Sequence, residues 1–457
     1  MEMQSNQRQI TQGPIWKQLL FFFFPILLGT FFQQMYNTVD TIIVGRVVGT
    51  TALAAVGATG PLVNMVNGFF IGISSGATVI LSQCYGAGNR QGVHDALHTG
   101  VALSLVLGAM ITVLGVGLGP WVMSLMNMPE SCLADASSYL RIYFAGAIGS
   151  MVYNMGAGIL RAMGDSRRPM VFLMATCVLN VVLDILFVAV LHMGVAGAAL
   201  ATTVAQFLSA ALPLRVLLKR SEDRLELRQL RIDRKLLGRI LRIGVPAGLQ
   251  FVTFDFSNIL IQSSVNSFGD VTMAAWTAHG KTDAITWMIS GAFGVSVTTF
   301  VGQNFGAQKY RRIRQSAWVC LGMSVALVGA VAAVILCFRS RILGIYTDDP
   351  EVIAVGSVIM LSIMPFNIVF MPIEVFAGTM RGVGYSVVPT VITGCCVCLF
   401  RILWLATVVR RWHTLGMLTV CYPISWSIAA GVFLAVYLRG NWLRSRIAQC
   451  GMAPETP

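Results

Sequence analysis

The chain reads as a succession of long apolar runs separated by short polar gaps. The runs cover residues 15–44, 52–82, 93–118, 136–160, 169–191, 194–218, 236–266, 272–302, 313–338, 351–380, 387–410 and 414–438. A helix rises about 1.5 Å per residue, so each run is long enough to cross a hydrocarbon core of about 30 Å. The pattern predicts twelve transmembrane helices. Unbroken apolar runs exclude a transmembrane β-barrel, whose strands alternate apolar and polar residues. The first run is too long for a signal-peptide core and predicts a retained first span. The fold class is an all-α membrane protein.

Composition agrees with the pattern. Charged residues make up 11% of the 457 and hydrophobic residues 56%, where a soluble domain carries about 25% charge. The net charge is +13, but the basic residues sit in short gaps between apolar runs, where they encode topology and not nucleic-acid binding. The ten cysteines lie mostly inside apolar runs, where a thiol packs as a small hydrophobe. Cys395, Cys396 and Cys398 are clustered, yet neighbours on a helix point apart and make a poor metal cage.

With the N-terminus placed in the cytoplasm, the inner segments carry 23 of the 32 basic residues and the outer segments six. This asymmetry puts both termini inside. The one long gap, Lys219 to Arg242, holds nine basic and four acidic residues and joins two groups of six spans. The expected domains are an N-terminal bundle over 1–218, a cytoplasmic linker over 219–235, and a C-terminal bundle with a short tail over 236–457.

The two groups repeat one another. Gln83-Cys84-Tyr85-Gly86-Ala87 recurs 220 residues later as Gln303-Asn304-Phe305-Gly306-Ala307. Arg161-Ala162-Met163-Gly164-Asp165-Ser166 recurs at the same step as Arg381-Gly382-Val383-Gly384-Tyr385-Ser386. Pro169 maps to Pro389 and Ala54-Ala55 to Ala274-Ala275, while Pro25 maps to Pro246 and Pro129-Glu130 to Pro350-Glu351 one residue later. Six spans per repeat is an even number, so the repeats are parallel. They form two six-helix bundles related by a pseudo-two-fold axis along the membrane normal, a plan used by secondary transporters. No Walker-type phosphate loop is present.

Intramembrane acids are costly and are functional candidates by default. Asp40, Asp184 and Thr202 fall at matched depths, roughly 9–12 Å below the outer ends of their spans. Asn180 and Asp184 are one turn apart, as are Tyr36 and Asp40. Two carboxylates, an amide and a hydroxyl at one depth suit a small hard cation, or a proton shared by a carboxyl pair. Helix–helix hydrogen bonding is the structural alternative. Gln33 and Tyr36 share the Asp40 face and offer an amide and an aromatic ring to a flat organic cation. Pro25, fifteen residues before Asp40, lacks an N–H and marks a bend or hinge in the first span.

The second half is less regular. Asp255, Lys281 and Asp283 lie within spans seven and eight, and Glu374 lies deeper in span ten. Lys281 and Asp283, two residues apart, do not pair on one helix. Asp255 with Lys281 is the natural ion pair, and Arg401 is expected to neutralise one of the acids. These residues form a salt bridge or a second ion or substrate site.

Several stretches resemble the multidrug and toxic compound extrusion (MATE) family. They are Gln33-Gln34-Met35-Tyr36-Asn37-Thr38-Val39-Asp40, Leu160-Arg161-Ala162-Met163-Gly164-Asp165-Ser166, Asn180-Val181-Val182-Leu183-Asp184, Gly194-Val195-Ala196-Gly197-Ala198-Ala199-Leu200-Ala201-Thr202 and Gly302-Gln303-Asn304-Phe305-Gly306-Ala307. The resemblance implies a multi-pass antiporter of the bacterial cytoplasmic membrane that exports organic cations in exchange for Na⁺ or H⁺ by alternating access. It maps an N-terminal cation site onto Asp40, Asn180, Asp184 and Thr202, adds Tyr139 and Asn154 to the substrate candidates, and allows a carboxylate role at Glu374. The implied partners are cationic drugs and membrane lipid, with no cofactor beyond the coupling ion. A six-plus-six chain contains its own cleft and is expected to be a monomer. The competing functions are a lipid-linked oligosaccharide flippase, whose cleft needs cations for pyrophosphate, and a membrane-embedded transferase. The acidic first-half candidates disfavour the former. The five scattered histidines disfavour the latter.

Overall fold

The computed structural model describes residues 10–125, 130–220 and 223–451. Pro129 of the sequence repeat lies outside them. The described residues are helical throughout, with no strand among them. The main helices are α1 (Ile15–Ile43), α2 (Thr50–Gly86), α3 (Arg90–Leu125), α4 (Glu130–Ala145), α5 (Ala147–Ala162), α6 (Arg167–Asp184), α7 (Gly194–Lys219), α8 (Arg234–Asn266), α9 (Asp270–Gly306), α10 (Tyr310–Cys337), α11 (Pro350–Ile363), α12 (Asn367–Gly382), α13 (Val387–Thr393), α14 (Phe400–Trp404), α15 (Leu415–Thr419) and α16 (Cys421–Arg439).

Each expected span coincides with helix. Ten helical stretches of the described residues are long and apolar enough to cross a membrane. The other two spans depart for visible reasons. The span at 136–160 is split into α4 and α5 at Gly146, and α8 carries a polar face with Asp255, Asn258, Gln262 and Asn266.

The residues pack as two compact units. One runs from Phe24 to Gly248. The other runs from Leu249 onward and includes the segment ending at Phe23. The unit boundaries therefore fall inside continuous helices, at Phe23/Phe24 in α1 and Gly248/Leu249 in α8, each within two residues of the matched prolines Pro25 and Pro246. The linker, residues 219–235, packs with the first unit.

Within the first unit the linker is docked on the start of α3. Leu225 is fully buried and its N–H donates to Leu217 O at 3.0 Å. The Glu226 N–H donates to His98 Nε2 at 3.0 Å, Asp233 N–H to Thr99 Oγ1 at 3.2 Å, and Arg231 pairs with Asp95 at 2.9 Å. The first half of α8 then crosses α2 through glycines. A Cβ on Gly244 would come within 2.8 Å of Ile73 Cα, an approach that only small residues allow.

Within the second unit the leading segment of the chain is docked on the α9–α10 turn. Lys309 Nζ donates to Thr11 O at 2.7 Å, and Arg312 Nη1 donates to Gly13 O at 2.9 Å. Phe23 is fully buried and stacks on Phe293 with ring centroids 4.1 Å apart.

The sequence repeat is a repeat of geometry. Gly164 and Gly384 both adopt left-handed φ, 91° and 86°, and each donates to the arginine carbonyl three residues back, at 2.9 and 2.7 Å. Thr78 and Thr298 each donate to the carbonyl four residues back, at 2.8 and 2.7 Å. Each also faces a glycine of the helix it packs against, Gly158 or Gly378. The turn after α2 and the turn after α9 share the same bonds, Ala87 N–H to Gln83 O and Ala307 N–H to Gln303 O, both 3.0 Å.

Candidate functional site

The first-half acids sit where two helices leave α-helical geometry. Four residues after Asp40, α1 widens into a π-helical turn over Val44–Val48. Asp184 closes α6, and Ile185–Val190 is again π-helical. The i→i+5 bonds are explicit, Gly49 N–H to Val44 O at 3.2 Å and Leu191 N–H to Leu186 O at 2.9 Å, and the two widened turns pack against each other. Such turns are rare and collect at functional sites. Thr202 arrives on α7, whose first residue Gly194 takes a left-handed φ of 59° that favours glycine.

All four residues are buried: Asp40 is 6% exposed, Asn180 1%, Asp184 0% and Thr202 4%. Buried polar atoms normally find partners. Here Asp40 Oδ1, both Asp184 oxygens, both Asn180 amide atoms and Thr202 Oγ1 have no hydrogen-bond partner. The Asp40 charge acts on Asp184, so the two carboxylates lie near each other, and among the described residues neither forms a salt bridge. Five of the six orphaned atoms are oxygens, the donor set of a hard cation. The four residues therefore fit a Na⁺ ion, and equally a proton held between the carboxyls.

Beside them lies a cavity of about 50 Å³ lined by Gln33, Tyr36, Asn154, Asn180, Thr202 and Gln206 among others. It has room for a few waters at about 10–15 Å³ each, well short of the roughly 300–1,000 Å³ of drug-sized pockets. Gln33, Tyr36 and Asn154 of the substrate candidates are thus brought to the ion candidates. Tyr139 is not among the lining residues. It is buried and stacked on Tyr143 at 6.1 Å, within electrostatic reach of both Asp40 and Asp184.

Gln206 escaped the sequence reading. Its Oε1 is buried and unpartnered, and Gly146 leaves the space that this oxygen occupies. The signal was its position one turn after Thr202 on the same face of α7.

The second unit differs from expectation. Asp255 and Lys281 form no salt bridge: Asp255 is half-buried and Lys281 exposed. Arg401 neutralises no acid. It is 1% exposed, its Nε donates to Ser425 Oγ at 3.1 Å, and its guanidinium lies 3.9 Å over the Tyr422 ring, so an aromatic face supplies what a carboxylate was expected to supply. Asp283 is saturated. Its Oδ1 accepts from Thr286 and Asn367, each at 2.7 Å, and its Oδ2 from Trp287 Nε1 at 2.8 Å. Glu374 pairs with Arg381 at 3.2 Å. Asp255, Lys281, Asp283 and Glu374 are therefore not gathered into one site. Among the described residues no three His, Cys, Asp or Glu side chains converge on a metal position.

The family model MatE matches residues 25–186 and 246–406, one block in each half. The chain belongs to the MatE family. It is 30% identical to the probable multidrug resistance protein YpnP of Bacillus subtilis, over 76% of this chain and 78% of that one. It is 25% identical to the probable multidrug resistance protein NorM of Thermotoga maritima, over 95% and 96%. A FAD transporter of Shewanella oneidensis is 24% identical over 76% of this chain and 78% of that one. Among solved structures, an outward-facing MATE family transporter of the MOP superfamily superposes with a TM-score of 0.89 at 23% identity, covering 96% of this chain and 98% of that one. A MATE in the bent conformation gives 0.89 with 96% and 99% coverage. The fold of the MatE protein described here is thus that of the MATE transporters, twelve helices in two bundles, and the protein is an integral membrane transporter of the multidrug efflux family.

Proposed function

We propose that this protein exports organic cations across the bacterial cytoplasmic membrane in exchange for Na⁺ or H⁺, with both termini in the cytoplasm. The observation that carries this reading is the set of orphaned buried oxygens on Asp40, Asn180, Asp184 and Thr202. An acceptor cluster with two uncompensated carboxylates at membrane depth is unstable until a cation or proton joins it. Names of relatives that describe multidrug resistance support the cargo class.

Asp40 and Asp184 supply the charge, Asn180 and Thr202 the neutral oxygens, and Gln33, Tyr36, Tyr139 and Asn154 the cargo contacts. Cation and cargo use adjoining parts of one unit. Binding of either then opposes the other by a single shared factor, as linkage requires. Pro25, just past the unit boundary in α1, is the hinge through which the occupied site acts on Gln33 and Tyr36. The test is dye efflux in everted vesicles with imposed Na⁺ or H⁺ gradients. Efflux should collapse when the coupling gradient is removed. Efflux that persists without either gradient, or that requires ATP, overturns the reading.

A further inference from the structure

The strip of chain from Arg224 to Arg242, the linker and the first turns of α8, buries one side and leaves the other uncovered. Leu225 is its anchor, fully buried, and Leu230, Leu236, Leu237, Ile240 and Leu241 pack into the core of the first unit. Two large apolar side chains point the other way. Leu227, in a 3-10 turn over Leu227–Gln229, is 61% exposed, and Ile232 is 39% exposed.

The uncovered side is otherwise basic. Arg224, Arg228, Arg231, Arg234, Lys235, Arg239 and Arg242 are all exposed. Lys235, Arg239 and Arg242 follow at steps of four and three, so they share the face of α8 opposite the packed leucines. The acids of the strip do not offset them. Glu226 accepts from the Gln229 amide at 2.6 Å, and Asp233 from the Lys235 and Leu236 N–H groups, both at 2.8 Å. Arg231 pairs with Asp95, and the other six basic residues form no salt bridge among the described residues.

The strip is also held at the level of a membrane surface. The Leu225 N–H bonds to Leu217 O, two residues inside the end of the span Gly194–Lys219. Glu226 and Asp233 bond through their N–H groups to His98 and Thr99, near the start of the span Arg90–Gly119. Basic residues beside spans fix topology whatever they touch. Topology has no need of Leu227 and Ile232 turned outward among them, and exposed apolar groups in such a setting mark an interaction surface.

We propose that this strip is seated on the bilayer surface, with the guanidiniums of Arg224, Arg228 and Arg234 on the phosphates of anionic phospholipid and with Leu227 and Ile232 in the interface. Basic groups interleaved with apolar ones are the pattern that binds anionic headgroups, and a planar guanidinium meets a phosphate with two parallel donors. The bonds to Leu217, His98 and Thr99 hold the strip to the protein, and lipid covers the side that the protein leaves open. The proposal requires that the protein spans a membrane and does not depend on what it exports.

The test is amide hydrogen exchange of the whole protein in nanodiscs of pure phosphatidylcholine and of an equal mixture with phosphatidylglycerol. Phosphatidylglycerol should slow exchange across 226–232 about fivefold or more, the worth of one basic residue near an anionic surface. The turn at 307–312 is the control, because it is basic but exposes no large apolar residue, and its exchange should stay nearly the same. Arg224→Gln, Arg228→Gln and Arg234→Gln together should abolish the lipid effect. Exchange of this variant in pure phosphatidylcholine should match wild type, which shows that the strip is still docked on the protein. Leu227→Ser with Ile232→Ser should weaken the lipid effect. Wild-type exchange that is equal in the two lipids overturns the proposal. So does equal slowing in the control turn, which reports the acidity of an anionic surface, or full slowing in either variant. Slowing produced in pure phosphatidylcholine by inorganic phosphate would assign the strip to a soluble anion and overturns the proposal as well.

Discussion

Asp40 and Asp184 are two buried carboxylates that act on each other electrostatically, with no hydrogen-bond donor on Asp40 Oδ1 or on either Asp184 oxygen. A packed interior tolerates that arrangement only if something from solution completes it. Asp184→Asn should abolish gradient-dependent export. It should leave insertion intact and leave the melting temperature in detergent equal or higher, because it removes an uncompensated buried charge. A gain of about 1 kcal/mol corresponds to a rise of about 2–4 °C. Efflux that keeps its gradient dependence in this variant would place the coupling site elsewhere.

Asp283 should behave in the opposite way. It is as buried as Asp40, 6% exposed, but three side-chain donors converge on it. Asp283→Ala strands those donors, at about 1–3 kcal/mol for each buried group left unsatisfied. The expected result is a melting temperature lowered by several degrees with the apparent affinity for Na⁺ or H⁺ unchanged in whatever protein remains folded. A shifted ion affinity with normal stability would make Asp283 part of the coupling site.

Pro25 lies two residues past the point where α1 passes from one unit to the other. Pro25→Ala restores a backbone donor and straightens the helix. Cargo affinity should then respond less to Na⁺ or to pH between about 5 and 8, while each ligand still binds alone. Couplings of this kind are typically about 5–150-fold, so a drop towards unity is easily read by a binding titration. Full antagonism in Pro25→Ala would favour direct competition at Asp40 or Asp184.

His98 holds the linker. Its Nδ1 lies 2.7 Å from His94 O, which makes Nε2 the acceptor for the Glu226 N–H. His98→Phe keeps the ring and loses the acceptor. Amide hydrogen exchange across 225–233 should quicken about fivefold, the worth of one net hydrogen bond of about 1 kcal/mol. Exchange at the wild-type rate would mean that Leu225 and the Arg231–Asp95 pair hold the segment without His98.

The periodicity and the repeat made the helices legible, because apolar runs and turn glycines act locally. Asp40 and Asp184 stand out in the sequence for a related reason: an acid inside an apolar run needs a cause. The partners of Arg401 and Lys281 were not legible. Opposite charges in nearby spans suggest pairing, but the pairing depends on which way each helix is rotated. Here Arg401 turns to Tyr422 and Lys281 turns outward. Gln206 was hidden because an amide on a small-residue helix looks like ordinary packing until Gly146 is seen to make room for it. The unit boundaries lie beside the matched prolines Pro25 and Pro246, but a proline marks a bend in a helix and not which neighbours each half of it packs against.

The docking of the leading segment bears on how the chain is made. The carbonyls of Thr11 and Gly13 are held by Lys309 and Arg312, residues that leave the ribosome almost three hundred positions later. At about 5–20 residues per second that delay is about 15–60 s. The first unit, by contrast, is complete once Gly248 has been translated, since the linker it needs follows directly. The nascent protein therefore holds one finished half while its own first helix waits, partly undocked, for a partner not yet synthesised. Thr11 and Gly13 wait, exposed, for side chains that are made long after them.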